Sequence, residues 1–137
     1  MKTPLLFALF FSFLMIGCKN NSSLKGKVII ANKLHKNIVC FLGYNYPDLK
    51  LNFTNKQKIL ANLKRFEIDT DQSNEVDTIG LCQKGLWNKY IKQNLLMLFV
   101  FDRDKLKNAN KLEDALIERR YYSFSQLMKV NGVITVE

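Results

Sequence analysis

The chain has 137 residues, with Lys and Arg numbering 21 against 12 Asp and Glu for a formal net charge of +9, and 47% of it is hydrophobic. Those proportions fit one globular domain and exclude a multidomain enzyme, a collagen-like repeat and a disordered polymer. Hydrophobicity is concentrated at the start, where residues 4–16 are almost uninterrupted.

Met1 and Lys2 form a short positive end, LLFALFFSFLMI over residues 5–16 forms an apolar stretch, and Gly17-Cys18 follows. A positive start, a short apolar run and a small residue at the cut describe a secretory signal peptide. The run is too short for a membrane span, which needs about 20 residues. Leu14-Met15-Ile16-Gly17-Cys18 resembles the lipobox of bacterial lipoproteins, with Met15 where Leu is usual. The resemblance implies a lipoprotein whose Cys18 thiol takes a diacylglyceryl group, with several acyl chains such as palmitate at the head of a mature chain beginning there. Several acyl chains hold a protein stably on a membrane, whereas one anchors only marginally. An ordinary cleaved signal and an uncleaved anchor helix are the alternatives.

This divides the chain into a signal at 1–17, a lipidated cysteine with a polar tether at 18–25, and one sheet-rich globular domain at 26–137. Lys19 rather than Asp follows Cys18, which favours the outer membrane over inner-membrane retention. No acidic run follows, so the periplasmic face is expected rather than the cell surface. Loss of Lys2 with the signal leaves +8 on the mature chain. A secreted, anchored chain rarely meets nucleic acid, so headgroup phosphates or an acidic protein face are the anionic partners that remain. The basic residues group in sequence as Lys56/Lys58, Lys64/Arg65, Lys105/Lys107/Lys111 and Arg119/Arg120. That scatter reads as solvated surface.

In chain order, residues 27–32 (KVIIAN) predict a first strand, because they are β-branched and bounded by Gly26 and Asn32. Residues 33–37 turn the chain, and 38–44 predict a second strand paired with the first as a hairpin. Tyr46-Pro47-Asp48 predicts a turn, since Pro fixes φ and drives its neighbour away from helix. Residues 54–68 are ambiguous: Ile59, Leu60, Leu63 and Phe66 would line a helical face, while 64–68 alternates like a strand. Two short strands about a turn near Asn62 are the expectation.

Residues 69–80 are polar and read as a loop, and 87–91 as a helical turn. The apolar run 95–101 (LLMLFVF) predicts a central strand buried on both faces. Residues 111–119 are the best helix candidate, with Leu112, Ala115, Leu116 and Arg119 at i, i+3, i+4, i+7. Residues 120–124 read as a strand, Ser125 as the cap of a turn over 126–128, Gly132 as a left-handed terminator, and 133–136 as a closing strand.

The sum is a mainly β chain, with α+β as the alternative: a small β-sandwich-like domain with one or two short helices. The order of Tyr46-Pro47-Asp48, Trp87, Phe99-Val100-Phe101-Asp102, Leu106, Arg120-Tyr121, Leu127 and Asn131 resembles a group of small uncharacterised lipoproteins from Gram-negative bacteria. This chain differs from that pattern at Gly132, where an aromatic is usual, and after Thr135, where a Tyr-Pro pair is common. The resemblance implies no particular activity and no functional residue.

Chemistry-bearing residues are few. Nucleophilic hydrolysis needs an imidazole, and the one histidine, His35, lies between Lys33 and Lys36 in a turn. Zinc needs about four converging ligands, more than one His and two spare Cys provide. The six glycines are dispersed and form no phosphate loop. Asp69, Asp71, Glu75 and Asp77 alternate as a calcium loop does, but Asn74 and Gly80 stand where an EF-hand wants Gly and Glu. Asp102 and Asp104 are a pair capable of acid/base work, with Arg103 and Lys105 beside them favouring a salt-bridged strand end. Trp87 reads as a core anchor rather than a sugar platform.

Cys40 and Cys82 are either a disulfide, closing a loop of about 40 residues and contributing on the order of 3–4 kcal/mol, or two separate buried thiols. No catalytic residue, metal or cofactor is expected. The expectation for function is a membrane-anchored envelope lipoprotein acting as a nonenzymatic interaction or structural module, with an envelope protein as a further partner. Two alternatives are an immunity or inhibitor-type lipoprotein that binds an envelope-targeting enzyme, and a calcium- or carboxylate-dependent enzyme.

Overall fold

The computed structural model describes residues 26–46, 57 and 59–137. The signal, Cys18, the tether, Pro47 and Asp48 lie outside the described residues. Among the described residues, seven strands make two sheets: β1 (Ile29–Asn32), β2 (Ile38–Gly43), β3 (Glu67–Ile68), β4 (Ser73–Glu75), β5 (Leu96–Asp102), β6 (Leu116–Tyr122) and β7 (Val133–Val136). The first sheet runs β4-β1-β7 and the second β3-β2-β5-β6. Short helices connect them: α1 (Leu63–Phe66), α2 (Lys84–Tyr90), α3 (Arg103–Asn108) and α4 (Phe124–Lys129), with 3-10 turns at Lys92–Asn94 and Leu112–Ala115. The mainly β architecture follows the sequence expectation, with more short helices than the one or two expected.

β5 is the spine. All six residues from Leu96 to Phe101 are buried, and the strand pairs antiparallel with β2 and β6. Leu96, Leu98 and Val100 point to one face, where they join Ile38, Cys40 and Leu42 against Ile30, Ile134 and Val136 of the other sheet. Met97, Phe99 and Phe101 point to the opposite face, where Val39, Ile59, Leu106, Leu112 and Ala115 cover them. An unbroken apolar run is thus required, because neither face of this strand meets water. Each such side chain contributes about 1.5–3 kcal/mol on burial.

β1 and β2 do not form the expected hairpin. They lie in different sheets, β1 flanked by β4 antiparallel and β7 parallel, β2 by β3 and β5. The five residues between them carry the chain from one sheet to the other. Buried Asn32 shapes this arch: its Nδ2 donates to the carbonyls of Lys36 (2.9 Å), Ile68 (3.1 Å) and Asp69 (3.2 Å), and its Oδ1 accepts from the Leu34 N–H.

Residues 59–61 are helical, Asn62 turns, and α1 follows, so among the described residues of 54–68 only 67–68 form a strand. Ile59, Leu63 and Phe66 fall on one helical face and pack over the second sheet, a spacing a strand does not supply. β4 forms inside the expected loop at 69–80, after a left-handed turn at Asp71 (φ 59°). The expected helix over 111–119 is a single 3-10 turn that buries Leu112 and Ala115, after which β6 begins. Leu116 and Arg119 pair with Phe101 and Phe99 of β5. Long-range pairing to the spine overrides local helix propensity there.

Ser123, not Ser125, caps α4. Its Oγ accepts from the Gln126 N–H (3.3 Å) while its own N–H donates to Gln126 Oε1 (2.8 Å), a reciprocal capping box. Gly132 takes the left-handed conformation expected of it (φ 72°).

The strands share two ends. Gly26, Tyr44, α2, the Lys92–Asn94 turn and α4 gather at the end where the described chain begins, joined by Cys82 N to Gly26 O (2.7 Å) and Lys92 N to Tyr44 O (3.0 Å). Trp87 of α2 meets Phe124 of α4 edge to face, with ring centroids 5.4 Å apart. Residues 33–37, 69–72 and α3 gather at the opposite end. No helix among the described residues is long and apolar enough to cross a membrane.

Candidate functional site

The carboxylates that the sequence offers as ligands or acid/base groups do different work from one another. Asp77 is buried, with 1% of its surface exposed. Its Oδ1 accepts from the N–H groups of Ile79 (2.7 Å) and Gly80 (3.0 Å), and its Oδ2 from Leu81 (2.6 Å) and Val28 (3.2 Å). The side chain of an Asp readily closes such a local turn, and Gly80 supplies the left-handed residue it needs (φ 96°). Because Val28 leads into β1, the carboxylate also fastens this turn to the first sheet. All four bonds come from backbone donors, so Asp77 is a fold-holding group.

Asp69, Asp71 and Glu75 are exposed and do not converge on Asp77. Glu75 pairs with Lys27, and Asp71 lies 3.8 Å from Lys33. Among the described residues, no group of three or more His, Cys, Asp or Glu side chains is placed to hold a metal ion. The alternating acidic stretch therefore belongs to a turn and the short β4.

Asp102 ends β5 and caps α3. Its Oδ1 accepts from the N–H groups of Asp104 and Lys105 (both 3.1 Å), and its Oδ2 lies 3.3 Å from Lys36 Nζ. The Lys105 N–H first, then Lys36, hold its pKa below the ordinary carboxylate value. Arg103 reaches across to Glu67 (Nε–Oε1 2.6 Å) and along to Asp104 (3.4 Å). The salt-bridged strand end expected from the sequence is present, with Lys36 and Glu67 as partners that sequence proximity did not suggest. Beside it a shallow, open depression of about 450 Å³ is lined by Asp104, Lys105, Asn108, Ala109 and Asp114.

Cys40 and Cys82 are not bonded; both are free thiols. Cys40 sits inside β2 opposite Val100, with its side chain in the shared core. Burial first, then the Glu118 carboxylate, pushes its pKa from 9.0 up to about 12. Cys82 lies at the Gly26 end, where its Sγ contacts the Lys27 carbonyl at 3.5 Å, and burial with the Asp77 charge pushes its pKa up to about 11. Thiols that resist ionisation are poor nucleophiles. The two positions belong to different elements, Cys40 mid-strand and Cys82 in the turn that Asp77 closes at the Gly26 end.

His35 is exposed in the 33–37 arch. Trp87 is 1% exposed and its Nε1 donates to Asn94 Oδ1 (2.7 Å), which makes it a core anchor. Sequence reasoning missed Asn32, whose role shows only once the arch brings Ile68 and Asp69 to it. No family model, curated protein or solved structure matches the chain.

Proposed function

We propose that this chain is a lipid-anchored envelope lipoprotein, held by acyl chains on Cys18 at the periplasmic face of the outer membrane, whose folded part is a nonenzymatic interaction or structural module. The observation that carries this reading is Leu14-Met15-Ile16-Gly17-Cys18 following Met1-Lys2 and the apolar residues 5–16. A small residue before the cysteine lets a peptidase approach the backbone, and the sulfur supplies the nucleophile that accepts a lipid. Two or more acyl chains then anchor the protein stably.

The domain supports the nonenzymatic part through what its polar groups are already doing. Asp77 is taken up by four backbone donors, Asp102 caps a helix, and both thiols of the domain are raised well above neutral pH. The test is metabolic labelling of cells with a palmitate analogue, comparing the wild-type chain with Cys18→Ala and following each by fractionation. Label and sedimentation with membranes are both expected to vanish in the variant. Retained label would overturn the anchor.

A further inference from the structure

The two ends of the molecule differ in charge, and the difference is hidden in the sequence because it is assembled from distant segments. At the end holding Gly26, the lysines are Lys27, Lys84, Lys89, Lys92 and Lys129. The carboxylates there are Glu75, engaged by Lys27, and Asp77, buried under four N–H groups. Lys84, Lys89, Lys92 and Lys129 are exposed, and none has a carboxylate within ion-pair distance among the described residues. Lys84 lies over the Phe124 ring (4.5 Å) and Lys89 over Tyr90 (5.1 Å), while Tyr90 and Val130, next to Lys89 and Lys129 in the chain, are exposed. At the opposite end, Lys33, Lys36 and Arg103 each meet a carboxylate, and the exposed Lys105, Lys107 and Lys111 are outnumbered by exposed Asp69, Asp104, Glu113, Asp114 and Glu137.

We propose that the end of the sandwich carrying Lys84, Lys89, Lys92 and Lys129 docks on an anionic lipid leaflet, so that the anchored domain sits upright with its acidic end outward. This deepens the anchoring reading and rests on it. Three observations choose lipid as the occupant. The described chain begins at this end, and the eight residues from Cys18 to Lys25 span at most about 28 Å when fully extended. The same segment contributes Lys19 and Lys25 and no carboxylate. Exposed Tyr90 and Val130 among unpaired lysines offer small apolar contacts flanked by cations, as an interfacial surface requires.

Charge attraction to an anionic leaflet acts within a Debye length, about 8–10 Å at physiological salt, which the tether permits. Each lysine brought within that range strengthens partitioning by about fivefold. Four lysines at one end with no free carboxylate to offset them therefore set an orientation that the other end, where carboxylates outnumber lysines, cannot match.

The test uses the full lipid-bearing chain reconstituted into vesicles of phosphatidylcholine alone or mixed with phosphatidylglycerol. Lysine acetylation is read by mass spectrometry within the same molecules. In the anionic vesicles, acetylation at Lys84, Lys89, Lys92 and Lys129 should fall about fivefold relative to Lys105, Lys107 and Lys111, and the difference should disappear in phosphatidylcholine or at high salt. In the variant Lys84→Glu/Lys89→Glu/Lys92→Glu, protection at Lys129 should be lost. Equal labelling of both ends on a chain that carries lipid overturns the orientation and leaves the anchor standing. Protection that persists in phosphatidylcholine and at high salt also overturns it, because a second protein surface then covers this end. A chain without lipid on Cys18 overturns the anchor and the orientation together.

Discussion

β1 is fastened at its two ends by two buried polar side chains of opposite chemistry. At its beginning the Asp77 carboxylate collects four N–H donors, among them Val28; at its finish the Asn32 amide donates to three carbonyls and accepts one N–H. A β-strand of four residues pairs with too little backbone to fix its own position. The two corners show that the chain's path between sheets is set by what the loop backbones leave unpaired. A turn with converging N–H groups demands an anion, and an arch with converging C=O groups demands an amide.

The largest effect should come from removing the anion. Asp77→Ala leaves the donors of Val28, Ile79, Gly80 and Leu81 without their acceptor, and we expect a loss of about 3–5 kcal/mol in chemical denaturation. Asp77→Asn keeps the shape but turns an N–H₂ toward N–H donors, and should recover less than half of that loss. Full recovery by Asn would show that the charge is immaterial at this corner.

Next in size is Asn32→Ala, at about 2–3 kcal/mol, because buried carbonyls tolerate a lost donor better than N–H groups tolerate a lost acceptor. Asn32→Asp should be worse than Asn32→Ala at neutral pH, since a carboxylate would face the carbonyls of Lys36, Ile68 and Asp69. Its deficit should shrink in acid as the new group protonates. The reverse order, with Asp milder than Ala, would break the contrast between the corners.

The thiols report on the corners separately. Cys82 lies in the Asp77 turn, and burial first and then that charge raise its pKa, whereas Cys40 lies mid-sheet. Asp77→Asn should lower the Cys82 pKa in part, since burial remains, and speed its modification by a thiol reagent at pH 8 by less than about tenfold. Cys40 should stay unreactive. Because the folded state holds the Cys40 proton to about 12 against 9.0 ordinarily, its contribution to stability is full below pH 9 and is lost as pH rises toward 12. Tyr44, raised by burial to about 12, acts in the same direction. Cys40→Ala should flatten that alkaline loss even though it creates a cavity.

Legibility in the sequence followed the range of the interactions. The run around Leu98 predicted the spine because burial on both faces leaves a mark on every residue of the strand. The Gly132 terminator and the closing strand were equally local. The hairpin expectation at β1 and β2 failed because nothing within 33–37 announces that Ile68 and Asp69 will close over Asn32. The helix expected at 111–119 failed for the same reason: Leu112 and Ala115 keep a helical spacing for one turn, and then β5 captures Leu116 onward. Among candidate site residues, Asp77 was visible as a carboxylate but not as a buried one. The basic end was invisible, because the helix of Lys84 and the helix of Lys129 come together only through Trp87 and Lys84 packing on Phe124.

The smallest predicted effect lies at the far corner, where Asp102 adds a charge to the arch that Asn32 shapes. Asp102 accepts the Lys105 and Asp104 N–H groups as the cap of α3 and meets Lys36 from the arch, and the first of these is the main cause of its lowered pKa. A depressed carboxylate stabilises the fold above its unfolded pKa, and that contribution disappears as pH falls through the folded value. Asp102→Asn keeps a good cap and loses only the exposed ion pair, so it should cost under about 1 kcal/mol. Asp102→Ala loses both and should cost about 1–2 kcal/mol. Urea midpoints followed from pH 7 downward separate the two parts: the difference between Asp102→Asn and the wild type should narrow as pH falls through the folded pKa of Asp102, while the deficit of Asp102→Ala persists in part because the cap is still missing. If both variants converge on the wild type in acid, the cap contributes nothing beyond charge, and the far corner is held by the Asn32 amide alone.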